Sequence, residues 1–469
     1  MANKELAICN SFDKVRSRIL NHLRTSSGTF CSDSYGEEIE FSQFLGIVRC
    51  IACKLPKNQK KIAILAEKNY INYAAIIAVV LSGRTWIPIS LEIPKDRMAD
   101  VLRTSKPELL LTSFSLDHYK DRKIKNLVKQ IIFLEDFINS QSDSSFTWPN
   151  IPEKETAIIF HTSGSTGLPK GVEISFLNLA AALTNTAPIF AKPNILWGDY
   201  HDLSFVISIN ILFTCLYSKG RIFCANKSID QIAPAKSLIE RKVNCLVTVP
   251  STLSRIQKDN NFQKLFSNLK VLVSCGEPLP LKLLEAFSGH QALEVFNFYG
   301  STELTTWVFH HKCTQKDLRT FSSYGYAPLG DVIKGNKYLI SEDGILLISG
   351  QQICSSYTGK PKNSHLLNIN GDSWFSTGDV VDVFSNKIIC KGRVDNQVKL
   401  NGYRVHLMDI ETKAMALEIV EGCICFLETV SKKTVLSCTI VTKSEVSKGF
   451  LMTHFRSLLP AYMVPKRYY

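Results

Sequence analysis

The stretch HTSGSTGLPKGV, residues 161–172, follows directly on an apolar run, Ala157, Ile158, Ile159 and Phe160. It places four hydroxyl residues and three glycines where a buried strand has just ended, with Pro-Lys-Gly near its close. A pliable surface loop would account for the small residues but not for that terminus. A phosphate cradle accounts for both. It needs backbone N–H groups free to point inward, hydroxyl donors and one cation. Ser163, Gly164, Ser165, Thr166, Gly167 and Lys170 supply that set, while Pro169 stiffens the exit. The stretch is not a Walker loop, which requires Gly before the Lys and Ser or Thr after it. Here Pro169 precedes Lys170 and Gly171 follows.

Around this loop, strand-like and helix-like segments alternate through about the first 390 residues, the pattern of an α/β architecture with parallel sheets. KIAILAE (61–67), WIPIS (86–90), PELLLTS (107–113), QIIFLED (130–136), VNCLVTVP (243–250) and LKVLVSCGE (269–277) read as strands. Residues 70–81 read as a buried helix. It is too short to span a bilayer, which takes about 18–20 uninterrupted apolar residues. The composition changes after Gly392. The expectation is a large N-terminal body of parallel-rich sheets flanked by helices (1–394), joined at a hinge to a small α+β C-terminal piece (395–469).

The N-terminus carries charges where a signal peptide has its apolar stretch, so the expectation is a cytoplasmic chain. Its fourteen cysteines are then reduced thiols. Two close pairs, Cys50/Cys53 and Cys423/Cys425, lack a second pair at zinc-ribbon distance. The CIAC at 50–53 falls within an apolar helical pattern and reads as core. A net charge of +13 suits an acidic partner, but no nucleic-acid module accompanies the dispersed lysines and arginines.

The loop resembles the signature of the adenylate-forming superfamily, and companions follow in the expected order. NFYGSTE (297–303), STGDVV (376–381) and GRVDNQVKLNGYRV (392–405) resemble its later motifs, and residues 83–112 its N-terminal region. The resemblance implies ATP and Mg2+ as cofactors. It assigns nucleotide contacts to Thr162, Ser163, Gly164, Ser165, Thr166, Gly167, Lys170, Gly276, Glu277, Asn297, Tyr299, Gly300, Thr302, Asp379 and Arg393. Among these, Tyr299 stacks on adenine, Asp379 receives the ribose hydroxyls and Arg393 lies beside the nucleotide. Thr162, Lys170, Thr302 and Glu303 take the catalytic roles, with Glu303 as magnesium ligand and Asp395 as pivot. The implied chemistry is attack of a carboxylate on the α-phosphorus of ATP, then passage of the acyl group to a thiol.

HDLSF (201–205) bears on the substrate. In amino-acid-activating members, an Asp in a similar motif binds the α-ammonium, which places Asp202 in that role. SCGEPLP (274–280) and GVEIS (171–175) resemble the subfamily that loads D-alanine on carrier proteins, with Cys275 at the side-chain pocket. The expected acceptor is the phosphopantetheine thiol of an acidic carrier protein. Three other readings stand beside this one: a peptide-synthetase-type enzyme for another amino acid, an acyl- or aryl-CoA ligase, and a homologue that binds without turnover. The last arises because the family continues into a Gly-Lys turn beyond a segment like MVPKRYY (463–469). The C-terminal piece is therefore expected to be incomplete.

Overall fold

The computed structural model describes residues 11–65, 67–113, 124, 126–138, 146–163, 169–395, 397–430 and 433–469. Two large sheets form the body. One has seven strands, in which Lys61–Leu65, Thr85–Ile89, Leu109–Thr112 and Gln130–Phe133 run parallel beside the antiparallel hairpin Thr156–Thr162/Lys170–Ser175. The other has nine strands, with Leu196–Asp199, Arg221–Cys224, Cys245–Thr248, Val271–Cys275 and Glu294–Gly300 parallel at its centre. The helix Tyr70–Leu81 is buried at every position from Asn72 to Leu81, which explains why its sequence is apolar all round. Asn69 caps it by accepting the Asn72 N–H at 2.8 Å. Among the described residues, no helix is long and apolar enough to cross a membrane.

Two features depart from the sequence pattern. The run at 130–136 ends as a strand at Phe133, and Leu134–Ile138 turns helical. Glu135 and Asp136 sit in that first turn, where the helix dipole favours acids, while Leu134 and Phe137 are buried. The alternation also stops well before residue 390. Between Asn336 and Arg393 lies a five-stranded sheet whose neighbouring strands run antiparallel. Two of its hairpins turn at Asn370-Gly371 and Ser385-Asn386, all four residues with positive φ, as two-residue hairpin turns of this type require.

Beyond it come the hairpin Gln397–Leu400/Tyr403–His406, the helix Leu407–Met415, a three-stranded sheet and the helix Lys448–Leu458. Residues from Leu400 to Val464 share a core of their own. CIAC lies on the helix Phe41–Lys54, where Cys50 is buried and its thiol donates to the Phe137 carbonyl at 2.8 Å.

Two histidines give the body a pH signature. The ring nitrogens of His161 are shut from solvent with no hydrogen-bond partner among the described residues, and burial pulls its pKa down to about 3. Burial likewise pulls His201 to about 4. Both rings are neutral when folded and protonate on unfolding below their ordinary value of 6.5. Stability should therefore fall as pH drops from about 6.5 toward 4, by about 2 kcal/mol per histidine near pH 5. Urea midpoints at pH 7 and pH 5 test this, and His201→Gln should remove part of the difference.

Candidate functional site

The sheet strands aim their carboxyl ends at one crevice, the position where open α/β sheets bind ligands. From the nine-stranded sheet come Asp202 beyond Asp199, Cys275-Gly276-Glu277 at the end of Val271–Cys275, and Tyr299-Gly300 at the end of Glu294–Gly300. From the seven-stranded sheet come Ser90, Thr162, Ser163 and Lys170. Gly164, Ser165, Thr166 and Gly167 lie outside the described residues. The two ends of their loop are placed, because Thr162 pairs with Lys170 across the hairpin. Gly300 has no substitute: a Cβ there would meet the Thr306 carbonyl oxygen at 1.7 Å.

Charge is concentrated around Glu303, which is 3% exposed. Burial alone would raise its pKa, yet Arg404 and then Lys170 hold it below the ordinary carboxylate range. Arg404 reaches it at 2.7 Å, and the Tyr357 hydroxyl lies 3.4 Å away. The Lys170 ammonium sits 3.1 Å from the centre of the Tyr357 ring. Desolvation lowers the Lys170 pKa and Glu303 opposes that shift. Two cations against one carboxylate leave this cluster net positive. Thr302 heads the short 3-10 turn that carries Glu303.

A second cluster links Tyr299, Asp379, Arg393 and Asp395. The Tyr299 hydroxyl donates to Asp379 Oδ2 at 2.5 Å, and Arg393 donates to Asp379 Oδ1 at 2.9 Å. Arg393 also grips both oxygens of Asp395, at 2.7 and 2.9 Å. Burial would lower the Arg393 pKa, but Asp395 and Asp379 raise it further. The Tyr299 ring, Gly276, Gly300 and Lys399 line a small pocket, with the Lys399 ammonium 5.4 Å from the ring centre. Asn297 lies at its floor and spends its amide on the Pro328 carbonyl at 2.8 Å.

The third region surrounds Asp202. Ser90 Oγ donates to its Oδ2 at 2.5 Å, and the Ser204 N–H to its Oδ1 at 2.7 Å, so the carboxylate is fixed from both sides. His201 is turned away, its ring bonded to the Val247 carbonyl at 3.1 Å. Cys275 is 3% exposed, and burial pushes its pKa up to about 12, so it presents a small neutral wall.

The hairpin at 397–406 closes the crevice. The Gly402 N–H donates to Glu277 Oε1 at 2.5 Å, and Ser163 Oγ bridges the Arg404 carbonyl and the His406 N–H, each at 3.1 Å. Tyr403 stacks on Tyr462 at 3.9 Å and meets Phe205 edge-on at 4.7 Å. Sequence reasoning named neither Arg404, Tyr357, Lys399 nor Ser90. Arg404 and Lys399 lie within GRVDNQVKLNGYRV and Ser90 ends WIPIS, while Tyr357 carried no local signal, since only the fold brings it in.

The model of one family, described as AMP-binding enzyme, matches residues 30–358. The chain belongs to the AMP-binding enzyme family. A D-alanine–D-alanyl carrier protein ligase from Bacillus velezensis is 30% identical over 84% of this chain and 82% of its own length. One of the same name from Staphylococcus aureus is 27% identical over 92% and 90%. Among solved structures, an artificially fused adenylation–PCP di-domain from Klebsiella oxytoca superposes with a TM-score of 0.84 at 19% identity, covering 98% of this chain and 93% of that one. The family and the fold agree, and this AMP-binding ligase carries the adenylate-forming architecture.

Proposed function

We propose that this AMP-binding enzyme activates an amino acid, D-alanine before others, as its adenylate and passes it to the thiol of a carrier protein. The observation that carries the reading is the doubly anchored Asp202 facing the crevice: a fixed carboxylate partners an α-ammonium and has no counterpart in a fatty acid. The names of the relatives agree with it, and the neutral Cys275 wall suits a methyl side chain.

The substrate carboxylate attacks the α-phosphorus of ATP in line, and Lys170 with the loop hydroxyls takes up charge on the departing pyrophosphate. Tyr299 offers a flat face for adenine, and Asp379 keeps lone pairs for the ribose hydroxyls. Glu303 is a buried, ionised oxygen donor of the kind magnesium takes, and the cation would neutralise the phosphates. In this arrangement Arg404 holds one oxygen of Glu303 and the hairpin backbone engages Ser163. We read that arrangement as the transfer stage, with residues 395–469 turning about Asp395 between stages. The net charge of +13 would favour an acidic carrier by electrostatic steering.

Amino-acid-dependent exchange of pyrophosphate into ATP, run across a panel of amino acids, tests the reading. D-alanine should give the highest rate. A far higher rate with a larger L-amino acid would overturn the choice of substrate. ATP binding without any exchange would overturn the activity.

A further inference from the structure

Gly171 follows Lys170 for a reason that only the fold shows. The strand Ser356–Tyr357 lies against the exit strand of the loop, Lys170–Ser175, with Tyr357 opposite Val172 and Ser356 opposite Glu173 in antiparallel register. The Thr358 N–H donates to the Gly171 carbonyl at 2.8 Å, and a Cβ at Gly171 would run into the Thr358 side chain. Glu173 adds two more ties. Its carbonyl accepts the Ser355 N–H at 2.9 Å, and its carboxylate accepts the Ser356 hydroxyl at 2.7 Å. Backbone pairing thus fixes Tyr357 beside Lys170.

The ring itself is held as firmly as its strand. Tyr357 is 8% exposed, and His365 meets it edge-on with the ring centres 4.9 Å apart. His365 in turn lies 3.4 Å from the Cys354 thiol, and the Cys354 N–H donates to the Glu303 carbonyl at 2.7 Å. One side chain therefore touches two opposite charges, with its face under the Lys170 ammonium and its hydroxyl 3.4 Å from Glu303 Oε1. Arg404 occupies the other oxygen of Glu303, and the ammonium rests on the ring. An aromatic face attracts a cation through its quadrupole and leaves the full charge in place. A carboxylate in the same position would offset that charge. Lysine carries its ammonium on a flexible four-carbon stem, so a surface that holds it in advance spares that ordering when charge develops on phosphate.

We propose that Tyr357 is a positioning residue for the departing pyrophosphate, its ring holding the Lys170 ammonium in place beside Glu303. This role rests on the adenylating activity proposed above, and Tyr357 itself forms no bond to the reacting atoms.

Pyrophosphate exchange by the full chain tests the role. Tyr357→Leu should lower kcat about tenfold and leave the KM for the amino acid unchanged, whereas Tyr357→Phe, which keeps the ring, should retain most of the rate. In a Lys170→Met background, Tyr357→Leu should cost less than about twofold, because the ring then has no cation to hold. Fluorinated phenylalanines at position 357 keep the shape and packing of the ring while weakening its negative face, so the rate should fall with each added fluorine. A loss that adds in full to that of Lys170→Met, or a rate indifferent to fluorination, would overturn the role. A chain without any exchange would overturn the adenylating reading instead. Calorimetry with magnesium pyrophosphate then carries the comparison: Tyr357→Leu should bind it about tenfold more weakly, and equal affinity would overturn the role.

Discussion

Asp202→Ala is expected to reduce amino-acid-dependent pyrophosphate exchange by about a hundred- to a thousand-fold, with the loss in the KM for the amino acid and little change in that for ATP. The magnitude follows from the anchoring. Ser90 Oγ and the Ser204 N–H hold the carboxylate in place before any substrate arrives, so an incoming ammonium meets a partner that needs no reorganisation. Removing one member of a hydrogen-bonded charge pair costs about 2–5 kcal/mol, and each 1.4 kcal/mol is a factor of ten. Asp202→Asn keeps the shape and much of the hydrogen bonding but loses the charge, and should fall nearly as far. That pair of variants separates charge recognition from local collapse. Exchange kinetics settle the matter, with a thermal melt confirming that both variants fold. Undiminished activity of Asp202→Ala on the true substrate would mean that no ammonium is read there, and an acyl or aryl acid would replace the amino acid.

What the sequence made legible divides along physical lines. Strands such as Val271–Cys275 and the helix Tyr70–Leu81 were readable because a fully buried element has to be apolar throughout. The antiparallel stretch from Asn336 to Arg393 was misread within the alternating pattern, although Asn370-Gly371 carries a strong short-range hairpin signal. Of the site, the residues carried by contiguous motifs were named in advance, and the structure gathers Ser163, Lys170, Glu303, Tyr299 and Asp379 around one crevice. Residues that reach the crevice from far along the chain were not. Ser90 touches Asp202 across 112 positions, and Tyr357 meets Glu303 across 54. Neither belongs to a pattern whose spacing announces it. The engagement of Ser163 with the hairpin backbone was equally hidden, because it depends on where the last part of the chain docks.

That docking makes Arg404 the most informative single position. Arg404→Ala should divide the two half-reactions, leaving pyrophosphate exchange intact or faster while transfer to a carrier thiol falls at least tenfold. Its guanidinium binds Glu303 at 2.7 Å and Gln397 at 2.5 Å, and so ties the hairpin to the body at the oxygen a divalent cation would take. Losing the tie favours the undocked arrangement, and about 1.4 kcal/mol of such a shift is enough for a tenfold change in population. The same substitution has a signed consequence for pH. Arg404 is the largest influence holding the Glu303 pKa down, with Lys170 weaker, so the alanine variant should have a Glu303 that protonates at higher pH. The acid limb of the exchange profile should move upward accordingly. Single-turnover transfer from preformed adenylate, measured beside exchange across pH, reads both effects in one variant. Equal losses in the two half-reactions would assign Arg404 to the adenylation step itself. The docked hairpin would then belong to the activating arrangement rather than to transfer.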